Sequence, residues 1–402
     1  MAKIAILGFG VVGGGVCDLI VKNAKEIERL CGETVTVKRI LDLRDFPGSP
    51  FADAVTHNYD DIANDAEISC VIELMGGIHP AYEYTLRALR AGKHVITSNK
   101  AVVAECGVEF MKVARENGVT YRFEAAVGGG IPVISPIISL MRQNKISEIR
   151  GILNGTTNYI LTKMFDFGAS FEAALSEAQS LGYAERNPDA DVLGTDAARK
   201  ISILGALESG KLVPPHAIHT EGITKIRRED VLAAEKIGAT VKLFGRYIVT
   251  SDGDPLMMVA PFMIDKSAPL ASVHGVYNAV ELLGEPIGNV MFFGRGAGAG
   301  PTASAVVGDL MQIIKTGTAY AEPSFDVASF AGDFAAFRSE SYVAAEGADA
   351  ELIRRVFGEV RYIDGDECAF ITDELSEFET ERALQRMKDG GAKILSRIRI
   401  LK

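Results

Sequence analysis

The chain lacks the marks of several large protein classes. Its five cysteines, odd in number and without metal-ligand spacing, argue against a disulfide framework and against a zinc cluster. No basic block occurs, and 42 basic against 53 acidic residues leave a formal net charge of −11, so the electrostatic footprint of a nucleic-acid binder is missing. The most membrane-like stretch, Val127 to Met141, is broken by three glycines and two prolines and falls short of the ~20 residues that a span requires. No positively charged leader precedes the first apolar run at Lys3, so a cytoplasmic location is expected. The six histidines are scattered. His216 and His219 are spaced as a metal pair would be, but they follow Pro214-Pro215 and have no third ligand nearby. What is present is the composition of a globular protein, 48% hydrophobic and 24% charged, in 402 residues. At roughly 150 residues per domain, that length suits two or three domains, and the missing basic footprint favours small-molecule chemistry.

Residues Lys3–Leu7 form a compact apolar run that reads as a strand buried on both faces, and Gly8-Phe9-Gly10-Val11-Val12-Gly13 follows at once. A glycine turn between strand and helix lets backbone amides approach a pyrophosphate, with the positive end of the helix behind them. The context supports that use: the helix is expected to run to about Leu30, a second strand spans Val35–Leu41, and Asp42 stands at its end. An acidic residue there would bind the ribose 2′-hydroxyl of NAD, whereas Arg44, two residues on, would accept the 2′-phosphate of NADP. Both cofactors stay open, and a solvated loop pair is the bland alternative. Strand Ile68–Met75, helix Ala81–Ala91, strand His94–Thr97, helix Gly107–Asn117 and strand Thr120–Glu124 continue an α/β alternation, that of a doubly wound, Rossmann-like parallel sheet. Ligands gather beyond the carboxyl ends of such strands, which selects Gly76, Ser98, Asn99 and Lys100. A second glycine-rich loop, Gly294 to Thr302, includes Gly298 and precedes an expected helix Ala303–Thr316; it suits closure over the cofactor or a crossover turn.

From Ala125 onward, Ala-Ala-Val-Gly-Gly-Gly-Ile-Pro exposes backbone, as a hinge or a carbonyl-lined cation site would. A strand Glu148–Leu153 leads to Asn154-Gly-Thr-Thr-Asn158, whose polar side chains would cap a helix beginning near Tyr159. The stretch from Gly182 and Tyr183 to Lys200 carries the most chemistry. On a helix starting near Thr195, Asp196 and Lys200 are one turn apart, and Ile203, Leu204 and Leu207 continue the same face. A face that turns apolar faces inward, so Asp196 and Lys200 are expected to form a buried charged site rather than a wet salt bridge. Moving a hydride to or from a carbinol carbon requires a proton to join or leave its oxygen, and Lys200 and Lys100 are the candidates to carry it. Glu185, Asp191 and Asp196 would hold an ammonium or hydroxyl of the substrate.

These motifs together resemble those of the homoserine dehydrogenases over about residues 1–325: Gly8-x-Gly10-x-x-Gly13, Asn99-Lys100-Ala101, Val127-Gly-Gly-Gly-Ile-Pro132, Asn154-Gly-Thr-Thr-Asn158 and Gly182 to Lys200. The resemblance implies reversible oxidation of homoserine to aspartate semialdehyde with NAD or NADP, on the route to threonine and methionine. It matches Lys200 to the proton-transferring lysine and Lys100 to the lysine assisting it. It matches Glu185 and Asp196, with Asp191 alongside, to substrate-binding carboxylates. It also implies a monovalent cation, sodium, at Glu124, Val127, Gly129 and Ile131, and a homodimer or homotetramer paired through its substrate domains. Another nicotinamide reductase, or a nucleotide-sensing regulator with dead chemistry, would share the glycine loop.

Three parts are expected: a dinucleotide-binding domain over 1–130, completed by about 300–325; a substrate-binding and dimerisation domain of α+β type over 131–300; and a tail over 338–402. The tail reads as strand, helix, two strands, helix, strand: Tyr342–Ala345, Glu351–Phe357, Val360–Ile363 with Ala369–Thr372, Glu377–Lys388 and Lys393–Ile400. That is the order of a ferredoxin-like unit and resembles a shortened ACT module. It shows Ala-Glu-Gly-Ala-Asp where such modules carry an Asp-x-Pro-Gly type of loop, which favours a packing role over effector binding.

Overall fold

The computed structural model describes all residues except 251–254, 318–324, 326, 330 and 364–365. The chain divides into two compact units, the first comprising Met1–Ile146, Ser202–Pro215 and Leu283–Ser329, the second Ser147–Ile201, His216–Leu282 and Phe330–Lys402. Part of the segment expected to complete the dinucleotide domain, 318–324, lies outside the described residues.

In the first unit six strands pair in the order Val55–Thr56, Val35–Leu41, Ala2–Leu7, Ile68–Glu73, His94–Thr97, Tyr121–Arg122. Every pairing is parallel. The chain leaves the sheet in one direction from Ala2–Leu7 and returns on its other side at Ile68–Glu73, which creates a switch point where ligands bind such sheets. Near-continuous apolar strands are what helices on both faces require, and Ile4, Ile6, Ile72 and Ile96 are indeed fully covered. Each such side chain contributes roughly 1.5–3 kcal/mol relative to exposure. Helix Ala299–Thr316 adds Ala303, Val306 and Leu310 to this core, packing on Val16 and Ile20 of helix Val11–Lys22.

Several boundaries differ from those read in the sequence, each for a local reason. The first helix stops at Lys22; the backbone turns at Asn23 and a second helix covers Ala24–Cys31. The helix expected from Gly107 begins at Lys100, because Asn99 caps it by accepting from the Val102 amide and its first turns bury Val102, Val103 and Ala104. The helix expected near Tyr159 starts at Gly155 under an Asn154 cap. The last strand of the parallel sheet ends at Arg122, and Glu124–Ala126 forms a 3₁₀ turn.

In the second unit the sheet runs Tyr277–Glu285, Lys145–Ile152, Ala239–Val249, Pro255–Asp265, Lys393–Leu401, Ser341–Glu346, Asp366–Ile371, Arg361–Ile363. It is mixed: Ala239–Val249 pairs antiparallel with Pro255–Asp265, whereas Pro255–Asp265 pairs parallel with Lys393–Leu401. The strands of the tail lie in spatial order fourth, first, third, second, all antiparallel, with helices Ala350–Phe357 and Glu377–Asp389 bringing Leu352, Ile353, Leu384 and Met387 into one core with Val343 and Phe370 of the strands. The tail therefore extends the sheet of this unit through its last strand.

Candidate active site

In the first unit the glycine turn follows the first strand as its motif requires. Gly8 takes φ +95°, and a Cβ on Gly13 would stand 2.1 Å from the Gly8 carbonyl oxygen, so only glycine lets helix and turn close here. Around Gly10, by contrast, a Cβ would meet nothing within 4 Å. Gly10 caps helix Val11–Lys22 without a side-chain hydrogen bond, and Val11 is 78% exposed. Room around Gly10 and the positive helix end, whose first amides have no partner within the helix, fit a pyrophosphate.

Asp42 receives the Phe9 amide on Oδ2 at 2.8 Å and the Arg44 guanidinium through Nε at 3.0 Å and a terminal nitrogen at 3.2 Å. The Arg44 hydrogen bond is the chief reason its carboxyl is held down at about 2. Arg44 itself remains largely exposed, 5.0 Å from the centre of the Phe46 ring. At the far side of the switch point Asn99 donates to the Gly77 carbonyl at 2.6 Å, and its amide donates to Thr97 Oγ1 at 2.9 Å. Thr97 in turn donates to Glu73 Oε2 at 2.6 Å, and the Met75 amide to Glu73 Oε1 at 2.7 Å. Glu73 is fully buried, and burial pushes its carboxyl up to about 7 despite these donors. This network fixes Gly76, Ser98 and the half-buried Lys100, which opens its helix. Gly298, at φ +116°, precedes helix Ala299–Thr316 and accepts from the Thr302 amide.

Glu124 spends both carboxylate oxygens on backbone amides: Oε1 on Val133 and Ile134 at 2.6 and 2.7 Å, Oε2 on Ser135 at 2.8 Å. It thus caps helix Ile134–Met141 across the turn that contains Val127, Gly129 and Ile131. Among the described residues no group of three or more His, Cys, Asp or Glu is placed to hold a metal ion. A cation in this turn would therefore draw on main-chain carbonyls, a donor set that suits a hard ion.

In the second unit the helix starting at Thr195 places Lys200 Nζ 2.9 Å from Asp196 Oδ2, with 7% and 4% of the two residues exposed. Ile203, Leu204 and Leu207 are buried along the same face, as the inward-facing pattern predicts. Lys200 also donates to the Leu153 carbonyl at 2.6 Å. Next along the chain Asn154 does two things: its Oδ1 caps helix Gly155–Phe167, while its Nδ2 donates to Asp191 Oδ1 at 2.6 Å and to Asp196 Oδ2 at 2.9 Å. One amide thus holds two carboxylates beside one lysine. Burial first, and then the Asp196 charge, raise the Asp191 carboxyl above its usual range.

Thr156 ties the neighbouring turn by donating to the Tyr183 carbonyl at 2.6 Å, and the Tyr183 ring meets Tyr159 edge-on. Gly182, at φ +74°, lets the chain turn before Tyr183. Glu185 is exposed on the same loop, its carbonyl accepting from Gln179. In the sequence Asn154 reads mainly as a helix cap, and Glu73 only as the first residue of the strand-end stretch Glu73 to Gly77 where ligands gather. The signal for the first lies in the polar motif after the strand; for Glu73 it is a carboxylate ending an otherwise apolar strand.

The chain matches the family model for homoserine dehydrogenase over residues 132–311 and the model for the homoserine dehydrogenase NAD binding domain over residues 8–124. It is 42% identical over 322 residues to a homoserine dehydrogenase of Synechocystis sp., covering 78% of this chain and 73% of that one. A solved homoserine dehydrogenase from Thiobacillus denitrificans superposes with a TM-score of 0.93 at 34% identity, covering 100% of this chain and 98% of the other. A hyperthermophilic archaeal homoserine dehydrogenase mutant solved in complex with NADPH has a TM-score of 0.66 at 29% identity, covering 77% and 97%.

Proposed function

The chain belongs to the homoserine dehydrogenase family, and from that premise we propose how its own residues carry the reaction. The activity is the NAD(P)-dependent interconversion of homoserine and aspartate semialdehyde, an oxidoreduction of amino-acid biosynthesis. When bound, the nicotinamide supplies the two-electron exchange of a hydride. Lys200 moves the proton: its ammonium donates to the aldehyde oxygen in reduction, and its neutral amine accepts from the hydroxyl in oxidation. Asp196, 2.9 Å away, stabilises the ammonium form. Asp191, whose carboxyl is raised first by burial and then by the Asp196 charge, gains from an ammonium beside it, so the pair binds the substrate amine and sets its orientation. Gly182, Tyr183 and Glu185 shape the loop over that site, and Lys100 assists the proton transfer.

Gly8 to Gly13, with Gly76, Ser98, Asn99 and Gly298, hold the dinucleotide, and NADP is the preferred form. What supports that choice is Arg44, a largely exposed cation beside Asp42, whose carboxylate is already engaged by the Phe9 amide and by Arg44 itself. A monovalent cation, sodium, rests on the carbonyls of Val127, Gly129 and Ile131 in the turn braced by Glu124. The expected setting is cytoplasmic, as a homodimer or homotetramer, with the tail as a shortened ACT-like module that packs rather than senses.

The observation that carries this reading is the Asn154 amide joining Asp191 and Asp196 beside Lys200. Initial rates with homoserine and either NADP or NAD, with and without threonine, test it. Reduced nicotinamide should accumulate faster with NADP and without inhibition by threonine. Turnover of a different amino alcohol but not of homoserine would overturn it.

A further inference from the structure

Arg399 stands on the last strand with 1% of its surface exposed, paired in register with Phe262. Its guanidinium serves two carboxylates. Nε and a terminal nitrogen donate to both oxygens of Glu377 at 2.8 and 2.9 Å, and the terminal nitrogen also donates to Glu221 Oε1 at 2.8 Å. Glu377 has a second fork, from Arg397, at 2.7 Å to each oxygen. The charge of Glu377 is therefore met without Arg399, whereas the contact with Glu221 joins the tail to a different segment.

That segment backs the substrate-binding turn. His219–Thr220 pairs in parallel with Met258–Val259, and the Glu221 amide donates to the Val259 carbonyl at 2.7 Å. Gly222 is pressed so closely on the turn that a Cβ would stand 2.1 Å from the Val192 carbonyl oxygen, and the Ile223 amide donates to that same oxygen at 2.9 Å. On the turn itself Gly194 lies against Thr220 and Val259. Residues 192–194 join Asp191 to the helix that carries Asp196 and Lys200. Burial pushes the Glu221 carboxyl up, but the hydrogen bonds from His219 and Arg399 outweigh it and hold the carboxyl well below the usual range.

We propose that Arg399 is a positioning residue for homoserine: by clamping Glu221 it fixes residues 219–223 against Val192 to Gly194 and so sets the placement of Asp191 relative to Asp196 and Lys200. The role rests on the assignment of those three residues as the substrate site. The tail thereby has a function in catalysis that needs no effector, since its last strand supplies the clamp.

Truncating a buried ionic partner leaves the other charge uncompensated, so Arg399→Ala is a poor probe of function. Arg399→Lys keeps the cation but cannot fork onto Glu377 and reach Glu221 together, and Glu221→Gln keeps the shape and removes the charge. Both variants, made in the full chain, should raise KM for homoserine by about tenfold, with KM for NADP and kcat changed by less than about twofold. Arg354→Ala, which breaks an exposed ion pair elsewhere in the tail, should change none of the three. If Glu221→Gln lowers the melting temperature but leaves KM for homoserine unchanged, the clamp is structural only and the proposal is wrong. It is equally wrong if Arg354→Ala shifts KM as far as the clamp variants do. Asp191→Asn and Lys200→Ala separate the two levels. If neither alters homoserine kinetics, the site assignment falls and this role falls with it; if they do and the clamp variants do not, the role of Arg399 falls alone.

Discussion

Lys200 and Asp196 form a buried ion pair one helical turn apart, and the lysine also donates to the carbonyl of Leu153. An exposed pair at this spacing contributes only ~0.3–0.5 kcal/mol. Breaking a buried one costs roughly 3–5 kcal/mol because one charge is stranded. Lys200→Ala is therefore expected to lower stability by about that amount and kcat by on the order of 10²–10⁴-fold, while NADP binding is retained. Lys200→Arg restores the pairing with Asp196 but not the proton transfer, since a guanidinium does not give up its proton in this range. Stopped-flow turnover, cofactor titration and denaturant unfolding read the three quantities separately. A kcat that survives Lys200→Ala would remove Lys200 from the chemistry.

The glycine turn gives a sharper pair of expectations. Replacing helix glycine by alanine ordinarily stabilises by ~0.5–1 kcal/mol, and Gly14→Ala should do so, because a Cβ there meets nothing within 4 Å. Gly13→Ala should instead destabilise by about 1–3 kcal/mol, since its Cβ would meet the Gly8 carbonyl at 2.1 Å. Gly10→Ala should cost no more than about 1 kcal/mol, through the helix cap, yet weaken NADP by more than about tenfold, because the space it fills is the one assigned to the pyrophosphate. Equal losses of stability in all three variants would contradict this division.

Cofactor choice turns on Arg44. With Asp42 engaged by the Phe9 amide and by the guanidinium, Arg44→Ala both removes the cation and frees a carboxylate oxygen. KM for NADP should rise about tenfold, equivalent to roughly 1.4 kcal/mol, and KM for NAD should stay level or fall. A parallel rise in both constants would show that Arg44 shapes the loop without reading the ribose.

The parts of the fold legible in the sequence are those whose cause is local. Strands Val35–Leu41 and His94–Thr97 match their apolar runs, and the helix at Thr195 begins where its periodicity does. Asp196 and Lys200 can be placed inward because three apolar residues continue their face within the same helix. Boundaries slip where a side chain decides them: Asn99 starts its helix at Lys100 and Asn154 starts its helix at Gly155, each by capping amides that the apolar pattern does not report. The Asn154 bridge, and the link from Arg399 to Glu221 across 178 residues, are illegible because they depend on which strands become neighbours. Glu73 escapes for a related reason: a carboxylate at a strand end reads as exposed until the sheet and Asn99 close over it.

Glu73 supplies the pH prediction. Its carboxyl, near 4.5 when unfolded, is pushed up to about 7 by burial, so the native state binds this proton more tightly than the unfolded chain. The stability it contributes is fully present below about pH 4.5 and is lost as the pH rises through about 7. The difference corresponds to on the order of 3 kcal/mol. Glu73→Gln keeps an acceptor for the Met75 amide and a partner for Thr97 but has nothing to titrate. Urea unfolding between about pH 5 and about pH 8 should show the parent losing stability to the variant as the pH rises, with the gap levelling above about pH 8. If the two proteins keep a constant difference over this interval, the carboxyl is ionised throughout and burial does not govern it.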